Sequence, residues 1–390
     1  MLMMKLAYRN IIGAGLKTWL NVAALSFAFV AIIFLQGIYT GMNDQVEQAT
    51  IAAFYGGGQY WHNRYDPYDP LSLTDAHGAI PSELQSHIEK KTAAPILIRQ
   101  ATIYPQGRFR NILLKGINPQ QDIVSIPSSV LSATDGSIPA MIGTRMAKHT
   151  GLKTRDFITM QWRTVHGTFD AREAVIVHVF KTTVQEIDND QIWIPLTVLQ
   201  QITDMPDEAT MIVMKNESAA FPAVVDWNFK TLDFLLQDLH AMVRMKSIGG
   251  SIFYSILLLL AMLAIFDTQV LSIWHRRKEM GTLMALGMTR SQLIGLFTME
   301  GAFHGVLAAA IGAMYGIPLL SYIERNGWAL PQSTDDFGFA LGEKIFPSYS
   351  AGLIVGTAIL VLVVTSIVSF LPTKKIASLK PTDALKGKMT

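Results

Sequence analysis

Glu300 and His304 are the two ionisable residues whose position could support proton chemistry, because both lie inside a long apolar run. They are four residues apart, so a helix would place them on one face. Ionisable groups within a membrane are costly and often functional. One interpretation is a proton or ion site. The favoured interpretation is that Glu300 lies a turn or two inside the cytoplasmic surface and bonds a neighbouring helix or basic group.

Four glycines accompany this pair along the same stretch of the chain. They fall on one narrow stripe of a helix and form two G-x-x-x-G pairs, which let helices approach closely. The glycines predicted to pack helices in this way are Gly301, Gly305, Gly312 and Gly316.

A second group of charged residues lies in the segment "HRRKEMGTLMALGMTRSQLIGLF" from His275 to Phe297. Four cations and one acid lie in a connection only a few turns long. The spacing of Met280, Leu283, Met284 and Gly287 predicts a brief helix along the membrane surface. Its exposed side would offer charged residues to a cytoplasmic partner, namely Arg277, Lys278 and Glu279. The alternative is that the cations only keep this loop inside.

Motifs for metal, nucleophilic or nucleotide chemistry are not found in the sequence. The chain has no cysteine, and it contains no H-E-x-x-H, no G-x-S-x-G and no G-x-x-x-x-G-K-[ST]. Gly56 to Gly58 therefore indicate a turn rather than a phosphate cradle. We expect no catalytic, cofactor-binding or metal-binding residues, and the chain is not predicted to be an enzyme.

Composition indicates a membrane protein. Half of the 390 residues are apolar and only 16% are charged, against about 25% charged in ordinary soluble domains. A net charge of +2 gives no reason to expect nucleic acid. Four runs reach the roughly 20 residues that a spanning helix needs. They are Trp19–Tyr39, Ser247–Ile273, Leu293–Ile323 and Tyr349–Leu371.

Lysine and arginine in the short connections predict the orientation. Residues 1–17, 275–290 and 373–390 are rich in cations, whereas residues 324–348 carry four acids against two cations. Both termini are therefore predicted to be cytoplasmic. The first run is longer than a signal-peptide core and is not followed closely by a cleavage site, so it is interpreted as a retained helix.

About 200 residues lie between the first two runs, and they are predicted to form an external domain of mixed α and β structure. Residues 81–91, 137–152 and 227–248 are predicted to be helical, the last running straight into the second spanning helix as a rigid stalk. The alternative for that helix is a break near Gly249 and Gly250. The predicted strands are the segments "PILIRQATIYP", "RNILLKGIN", "DFITMQWRT", "AVIVHVF", "QIWIPL" and "ATMIVMK".

"RRKEMGTLMALGMTRSQLIGLFTMEG" closely resembles the signature of FtsX-like ABC transporter permeases, the superfamily of the lipoprotein-releasing and macrolide-exporter permeases. "LAYRNI" resembles the amphipathic elbow of that family and "LKPTDALKG" its C-terminal tail. Residues 143–164 and 179–205 resemble the external domain of the lipoprotein-releasing branch. The resemblance implies the macrolide-exporter type of fold, and because no phosphate loop is found in the sequence, we expect this chain to lack a fused ATPase.

The resemblance implies an α-helical membrane protein with four transmembrane helices and a large mixed α+β extracytoplasmic domain between helices 1 and 2. The implied parts are the elbow 1–17, helix 1 at 18–42, the external domain 43–226, the stalk and helix 2 at 227–274, the coupling helix 275–290, helix 3 at 291–323, the external loop 324–348, helix 4 at 349–372 and the tail 373–390.

In such a permease the cytoplasmic helix docks on a separate ABC ATPase, two per complex, which uses ATP and Mg. The residues that match this coupling segment are Arg276, Arg277, Lys278, Glu279, Met280, Gly281, Leu283, Met284, Leu286 and Gly287. Implied partners are a second permease, identical or paralogous, a lipid-modified or hydrophobic substrate, and a periplasmic carrier.

The resemblance implies a bacterial inner-membrane permease of the mechanotransmission type. Its implied task is to extract lipoproteins or another hydrophobic substrate from the outer leaflet. The alternative is a non-transporting regulator that relays ATPase cycles to an external cell-wall hydrolase. External domains of such regulators are usually smaller, which favours the permease.

Overall fold

The computed structural model describes residues 16–132, 136–182, 184–216, 222–329 and 344–377. These residues divide into two compact units. A helical unit contains residues 16–43, 243–329 and 344–377, and a sheet unit lies within residues 44–242. Most of the predicted elbow and tail, and residues 330–343 of the predicted external loop, lie outside the described residues.

The helical unit is built on parts of five helices. Their full bounds are α1 Leu16–Thr50, α7 Gln237–His275, α8 Arg277–Ala285, α9 Arg290–Asn326 and α10 Ala351–Ala377. Four helices are long and apolar enough to cross a membrane by length and composition. They are found within Trp19–Tyr55, Gln237–Leu260, Arg290–Asn326 and Ala351–Lys374.

An apolar cluster joins α1, α9 and α10 within the helical unit. Val22, Leu25 and Phe29 of α1 are buried with Ala308 of α9 and Val361 of α10. By contrast, no residue with a described burial is buried in the most apolar window of α7. The four predicted spanning runs therefore coincide with helices, but only three of these helices bury much of their apolar surface.

The sheet unit contains one nine-stranded mixed sheet in the order β11-β1-β10-β3-β4-β8-β5-β7-β6, and β6 also pairs with β3. Only β4–β8 and β5–β7 run parallel. The strands of this sheet are β1 Gln59–His62, β3 Ala93–Ile103, β4 Arg110–Ile117, β5 Ile138–Gly143, β6 Phe157–Arg163, β7 Phe169–Phe180, β8 Gln191–Pro195, β10 Met211–Met214 and β11 Trp227–Lys230.

Shorter elements complete the described structure. The remaining strands are β2 Gly78–Ala79, paired with β9 Glu208–Ala209, and β12 Trp328–Ala329, paired with β13 Lys344–Ile345. The remaining helices are α2 Ser82–Glu89, α3 Thr144–Thr150, α4 Gln185–Asp188, α5 Leu196–Ile202 and α6 Leu232–Leu235.

Two large apolar clusters form the core of the sheet unit. Trp162, Leu114 and Ile194 belong to one cluster, and Trp193 and Ile98 belong to the other. The central strands β3 and β8 are buried at almost every position. A strand covered on both faces has a continuous apolar run rather than an alternating one, which explains "PILI" and "QIWIP" in the sequence.

Six strand predictions and the helix near residues 81–91 are confirmed, and the turn at Gly56 to Gly58 is also present. Gly56 has a φ of +57°, and a Cβ there would lie 2.4 Å from the carbonyl oxygen of Met214. Glycine is required at this position because both the backbone conformation and the close approach of β10 exclude a side chain.

Two helix predictions were wrong in part. Residues 138–143 form strand β5, and the helix begins only at Thr144 before ending at Gly151. Trp227–Lys230 form strand β11, which pairs antiparallel with β1. In both cases a short apolar run fits a strand or a helix equally well, and pairing with a neighbouring strand decides the outcome.

The predicted stalk is also interrupted. Thr231 caps the short helix α6, and α7 begins at Gln237. From there α7 continues through Gly249 and Gly250 without a break. The interruption therefore lies near Leu236 rather than at the two glycines.

Candidate functional site

The segment between α7 and α9 folds as a short helix held between two turns. Arg276 lies in the first turn, α8 follows, and Gly287 has a φ of +98°, which favours glycine at the second turn. Thr289 then caps α9 through a reciprocal pair of hydrogen bonds with Gln292. This capping box stops α8 from merging with the next helix.

One face of α8 packs on the beginning of α9. Met280 is buried against Leu293 and Phe297, and Leu283 and Met284 pack beside them. Gly281 is buried in the same helix. The predicted helical spacing of the apolar residues is therefore confirmed for these side chains, whereas Gly287 lies in the turn beyond the helix.

The opposite face of α8 is open to solvent. Lys278, Glu279, Thr282 and Ala285 are exposed on it, and Leu286 at its end is 80% exposed. The exposed surface of α8 therefore combines the charged residues Lys278 and Glu279 with one apolar residue, Leu286, at its end.

Arg276 does not belong to that exposed surface. Its Nη1 donates to both carboxylate oxygens of Glu300, at 2.9 and 3.0 Å, and its Nε donates to Glu279 at 2.8 Å. The guanidinium also lies 5.0 Å from the ring centroid of Phe297. The interpretation that Glu300 bonds a basic group is confirmed.

This ion pair is protected from water, because the Glu300 side chain is only 7% exposed. Burial lowers the pKa of Arg276, but the carboxylates of Glu300 and Glu279 outweigh this effect and raise it overall. A buried carboxylate without a cation would be strongly destabilising. The pair therefore attaches the turn before α8 to the body of α9.

His304 has a local partner instead. Its Nδ1 donates to the backbone oxygen of Glu300 at 2.8 Å, one turn earlier in the same helix. The two residues share a face, as predicted, but this contact involves the Glu300 backbone and not its carboxylate.

The glycine stripe faces two neighbouring helices. A Cβ at Gly305 would lie 2.8 Å from Thr365 of α10, and one at Gly316 would lie 2.8 Å from Val30 of α1. A Cβ at Gly312 would lie 3.0 Å from Phe29, and Gly301 is also buried. Each contact distance is shorter than a side chain normally allows, so the missing Cβ atoms permit the close helix contacts.

Sequence spacing alone does not reveal the Arg276–Glu300 pair, because 24 residues separate the two and a turn intervenes. The signal available in the sequence was only that Glu300 needed a cation nearby. The aromatic contact of Arg276 with Phe297 was also missed. Among the described residues, no group of three His, Asp or Glu side chains is placed to hold a metal ion.

Residues 251–381 match the FtsX-like permease C-terminal family, so the predicted resemblance is confirmed over the part of the chain that contains α8, α9 and α10. The chain is 31% identical over 137 residues to an uncharacterized ABC transporter permease of Methanocaldococcus jannaschii, a match that spans only 31% of that protein.

Two longer matches are with the lipoprotein-releasing system transmembrane protein LolC of Xylella fastidiosa. One is 22% identical and covers 75% of this chain and 77% of the relative. The other, from strain Temecula1, is 21% identical and covers 92% and 94%. This chain is therefore similar to permease subunits of ABC transporters.

A solved structure also matches part of the chain. It is the extracellular domain of the noncanonic ABC-type transporter YknZ from Gram-positive bacteria, with a TM-score of 0.26 and 13% identity, covering 42% of this chain and 84% of that domain. Two chains with so low a score need not share a fold.

Proposed function

We propose that this chain is the permease subunit of an ATP-driven ABC transporter in a bacterial inner membrane, and that residues 276–287 dock on its ATPase. The observation that carries the proposal is that α8 has one packed face and one exposed face. Its apolar face is fixed on α9, and its charged face and Leu286 remain exposed. A docking element must offer a surface to its partner and transmit force to the rest of its own chain.

The attachment of α8 to α9 has two components of different physical kind. Met280, Leu293 and Phe297 supply apolar packing, and the Arg276–Glu300 pair supplies a charge-assisted contact. Displacing α8 by itself would open the apolar contact and expose a buried carboxylate. A push on α8 should therefore move the first turns of α9 with it.

The same proposal assigns the cofactors and the orientation. ATP and Mg would be bound by the separate ATPase, whose binding energy closes two subunits and pushes α8. Residues 1–17, 275–290 and 373–390 would face the cytoplasm, and the sheet unit would lie outside. A second permease, identical or paralogous, would complete the complex.

Substrate class is inferred from the named relatives. LolC is described as a transmembrane protein of a lipoprotein-releasing system, so we propose a lipoprotein or another hydrophobic molecule as substrate, passed to a periplasmic carrier. Mechanical transmission from α8 would drive its release from the outer leaflet.

The test alters α8 at two positions, the exposed Glu279, which also accepts from Arg276, and the buried Gly281. Glu279→Lys reverses an exposed charge, and like-charge juxtaposition at an interface can cost several kcal/mol. Gly281→Pro removes a backbone donor inside α8 and should distort it. Glu173→Lys, at an exposed position of β7, is the matched control because it makes the same charge change in the sheet unit.

We expect normal membrane levels for all three variants. Co-purification of the ATPase, or its stimulation by the permease, should be lost in Glu279→Lys and Gly281→Pro and retained in Glu173→Lys. If both variants in α8 bind the ATPase and stimulate hydrolysis as the wild type does, residues 276–287 are not the docking segment and their cations only orient the loop.

A further inference from the structure

A groove of about 600 Å³ lies on the sheet unit and has no role in the function proposed above. Its volume falls in the range of small-molecule pockets, which is roughly 300–1,000 Å³. Residues of β3, β4 and β6, the turn Pro70–Thr74 and Phe169 at the beginning of β7 contribute to its lining. Every lining residue belongs to the sheet unit, so the groove is a property of that unit alone.

Three polar side chains form a row across three neighbouring strands of this groove. Thr102 of β3 is paired with Asn111 of β4 on one side and with Gln161 of β6 on the other. Residues that are paired in this way lie side by side on one face of a sheet. Neighbouring strands are about 4.8 Å apart, so the row spans about 10 Å.

Hydrogen bonds hold this polar row in one orientation. The Thr102 hydroxyl donates to Oδ1 of Asn111 at 3.3 Å, and the Tyr104 hydroxyl donates to Oε1 of Gln161 at 2.8 Å. Both amide oxygens therefore accept within the sheet, whereas neither amide NH₂ group donates to a protein atom in the part of the chain that the structure describes. Each NH₂ group carries two donors, so the row offers four N–H donors to a ligand.

The charged side chains of the groove include one exposed cation. Asp190 is paired with Arg110 at 2.6 Å. Arg99 is only 5% exposed and donates to backbone oxygens of the turn Pro70–Thr74. Arg163 is exposed, and its Nε donates to a backbone oxygen in the turn between β6 and β7. Among the described lining residues, Arg163 thus provides the cation that a ligand can reach.

We propose that this groove binds an acidic oligosaccharide. Sugar hydroxyls both accept and donate, so they can take the four amide donors and also donate to the side-chain oxygen of Gln100, whose amide N–H is bound to the turn at Pro70. A carboxylate on the sugar would pair with Arg163 through charge-assisted hydrogen bonds. Leu71 and Phe169, which are 75% and 73% exposed, would cover the apolar faces of the sugar rings.

An acidic peptide is the alternative ligand, and the sheet topology argues against it. A peptide gains affinity chiefly by adding its main chain to an exposed sheet edge. Strands β3, β4 and β6 each have a partner strand on both sides, so the groove offers no edge to a peptide. Its recognition groups are side chains on a sheet face, and these suit the closely spaced hydroxyls of a sugar.

The experiment measures binding to the full-length chain in nanodiscs of zwitterionic lipid, without an ATPase, by calorimetry. Trigalacturonate carries hydroxyls and carboxylates, its methyl ester keeps the hydroxyls without the charge, and triglutamate keeps the charge without the hydroxyls. Empty nanodiscs are the blank. We expect trigalacturonate to bind, the ester to bind about tenfold more weakly because it loses hydrogen bonds to a charged group, and triglutamate to show no binding.

Gln161→Met keeps a side chain of similar length and removes the amide. We expect it to weaken the binding of trigalacturonate and of its ester alike, each by about fivefold, a usual effect of losing a neutral hydrogen bond. Gln201→Met is the matched control, because Gln201 is an exposed glutamine of α5 outside the groove. Its affinity for both sugars should equal that of the wild type.

Arg163→Gln separates the charge from the hydroxyl contacts. We expect it to weaken the binding of trigalacturonate about tenfold, since the charge-assisted contact is lost, and to change the affinity for the ester much less. Arg172→Gln is the matched control, because Arg172 is exposed and lies outside the groove lining.

Three results would overturn the proposal. Triglutamate binding as tightly as trigalacturonate would indicate an acidic peptide or a merely cationic surface. No binding of trigalacturonate at millimolar concentration would reject the sugar, and neither of these results needs a variant to fold. Unchanged sugar affinity in Gln161→Met with the melting temperature of the wild type would place the sugar elsewhere. None of the three bears on ATPase docking at α8, so this proposal and the proposed function fail separately.

Discussion

The sheet unit and the helical unit differ in how completely they bury their apolar side chains. Trp162 and Trp193 of the sheet unit are 1% and 0% exposed, in clusters formed by that unit alone. Leu259 and Leu263 of α7 are 55% and 54% exposed. A water-soluble surface rarely carries so many exposed apolar residues in one element. The sheet unit thus buries its apolar core by itself, whereas α7 requires lipid or another chain around it.

Both units nevertheless solve the problem of a buried acid in the same way, by pairing it with an arginine. Asp188 accepts from the backbone N–H and the guanidinium of Arg145, at 3.0 and 2.7 Å. Burial raises the pKa of Asp188 and the contacts with Arg145 oppose that rise. Among the described residues, the Glu300 carboxylate is paired with one side chain, that of Arg276, at the junction between a short helix and a long one. Its pair is therefore the better placed to transmit movement.

The largest expected effect tests whether the two units differ in where their stability originates. Trp162→Ala removes a buried indole that also donates to the backbone oxygen of Ile202 at 2.9 Å. We expect a loss of about 3–5 kcal/mol in the free energy of unfolding of the sheet unit. Leu259→Ala should change the stability of the nanodisc-embedded chain by no more than about 0.5 kcal/mol.

Denaturant titration followed by near-UV circular dichroism measures both variants. A small loss of unfolding free energy for Trp162→Ala, or a loss of several kcal/mol for Leu259→Ala, would contradict the difference between a buried core and an exposed helix.

The second effect concerns the two carboxylates that share Arg276. Glu300→Gln leaves the guanidinium without its buried partner, and breaking a buried pair costs about 3–5 kcal/mol; we expect the lower end, because Glu279 still holds Arg276. Glu279→Gln removes a carboxylate whose side chain is 63% exposed, and such surface pairs contribute about 0–1 kcal/mol. Thermal unfolding of the two variants in the same nanodiscs gives the comparison.

Stimulation of the ATPase separates a mechanical role of the pair from a merely stabilising one. At a temperature where Glu300→Gln is still folded, we expect the ATPase to bind and its stimulation to fall. Full stimulation there would assign the Arg276–Glu300 pair to stability alone.

Much of this architecture could be predicted from the sequence because the signals are local. Spanning runs such as Leu293–Ile323 are recognisable by length and hydropathy, and the strand "RNILLKGIN" by β-branched and apolar residues between turn formers. The two helix errors arose where local signals are ambiguous. Trp227–Lys230 has no periodicity that distinguishes a strand from a helix, and its pairing partner β1 lies more than 160 residues earlier.

The candidate site was predicted in outline and missed in detail for the same reason. The helical spacing of Met280, Leu283 and Met284 indicates a buried face, so the short helix could be inferred. The partner of Glu300 depends on how the chain folds back between α7 and α9.

The smallest expected effect tests whether the glycine stripe is specific to packed faces. Gly305→Leu places a side chain where a Cβ alone would lie 2.8 Å from Thr365 and 3.1 Å from Leu362. Overpacking of this kind costs about 1–3 kcal/mol, and we expect about 2 kcal/mol because α10 can shift slightly. The matched control is Gly295→Leu in the same helix, where nothing lies within 4 Å of the added Cβ.

Gly295→Leu and Gly305→Leu should change the free energy of unfolding in opposite directions. At Gly295 the substitution removes a poor helix former from a helix interior, which is worth up to about 1 kcal/mol of stabilisation. At Gly305 that gain is present too, but the clash with α10 outweighs it. Melting temperatures in nanodiscs should therefore rise slightly for Gly295→Leu and fall for Gly305→Leu. If both rise, α9 and α10 do not pack through the glycine stripe. If both fall, another chain packs closely on α9 at Gly295, because a leucine that faces lipid would not be destabilising.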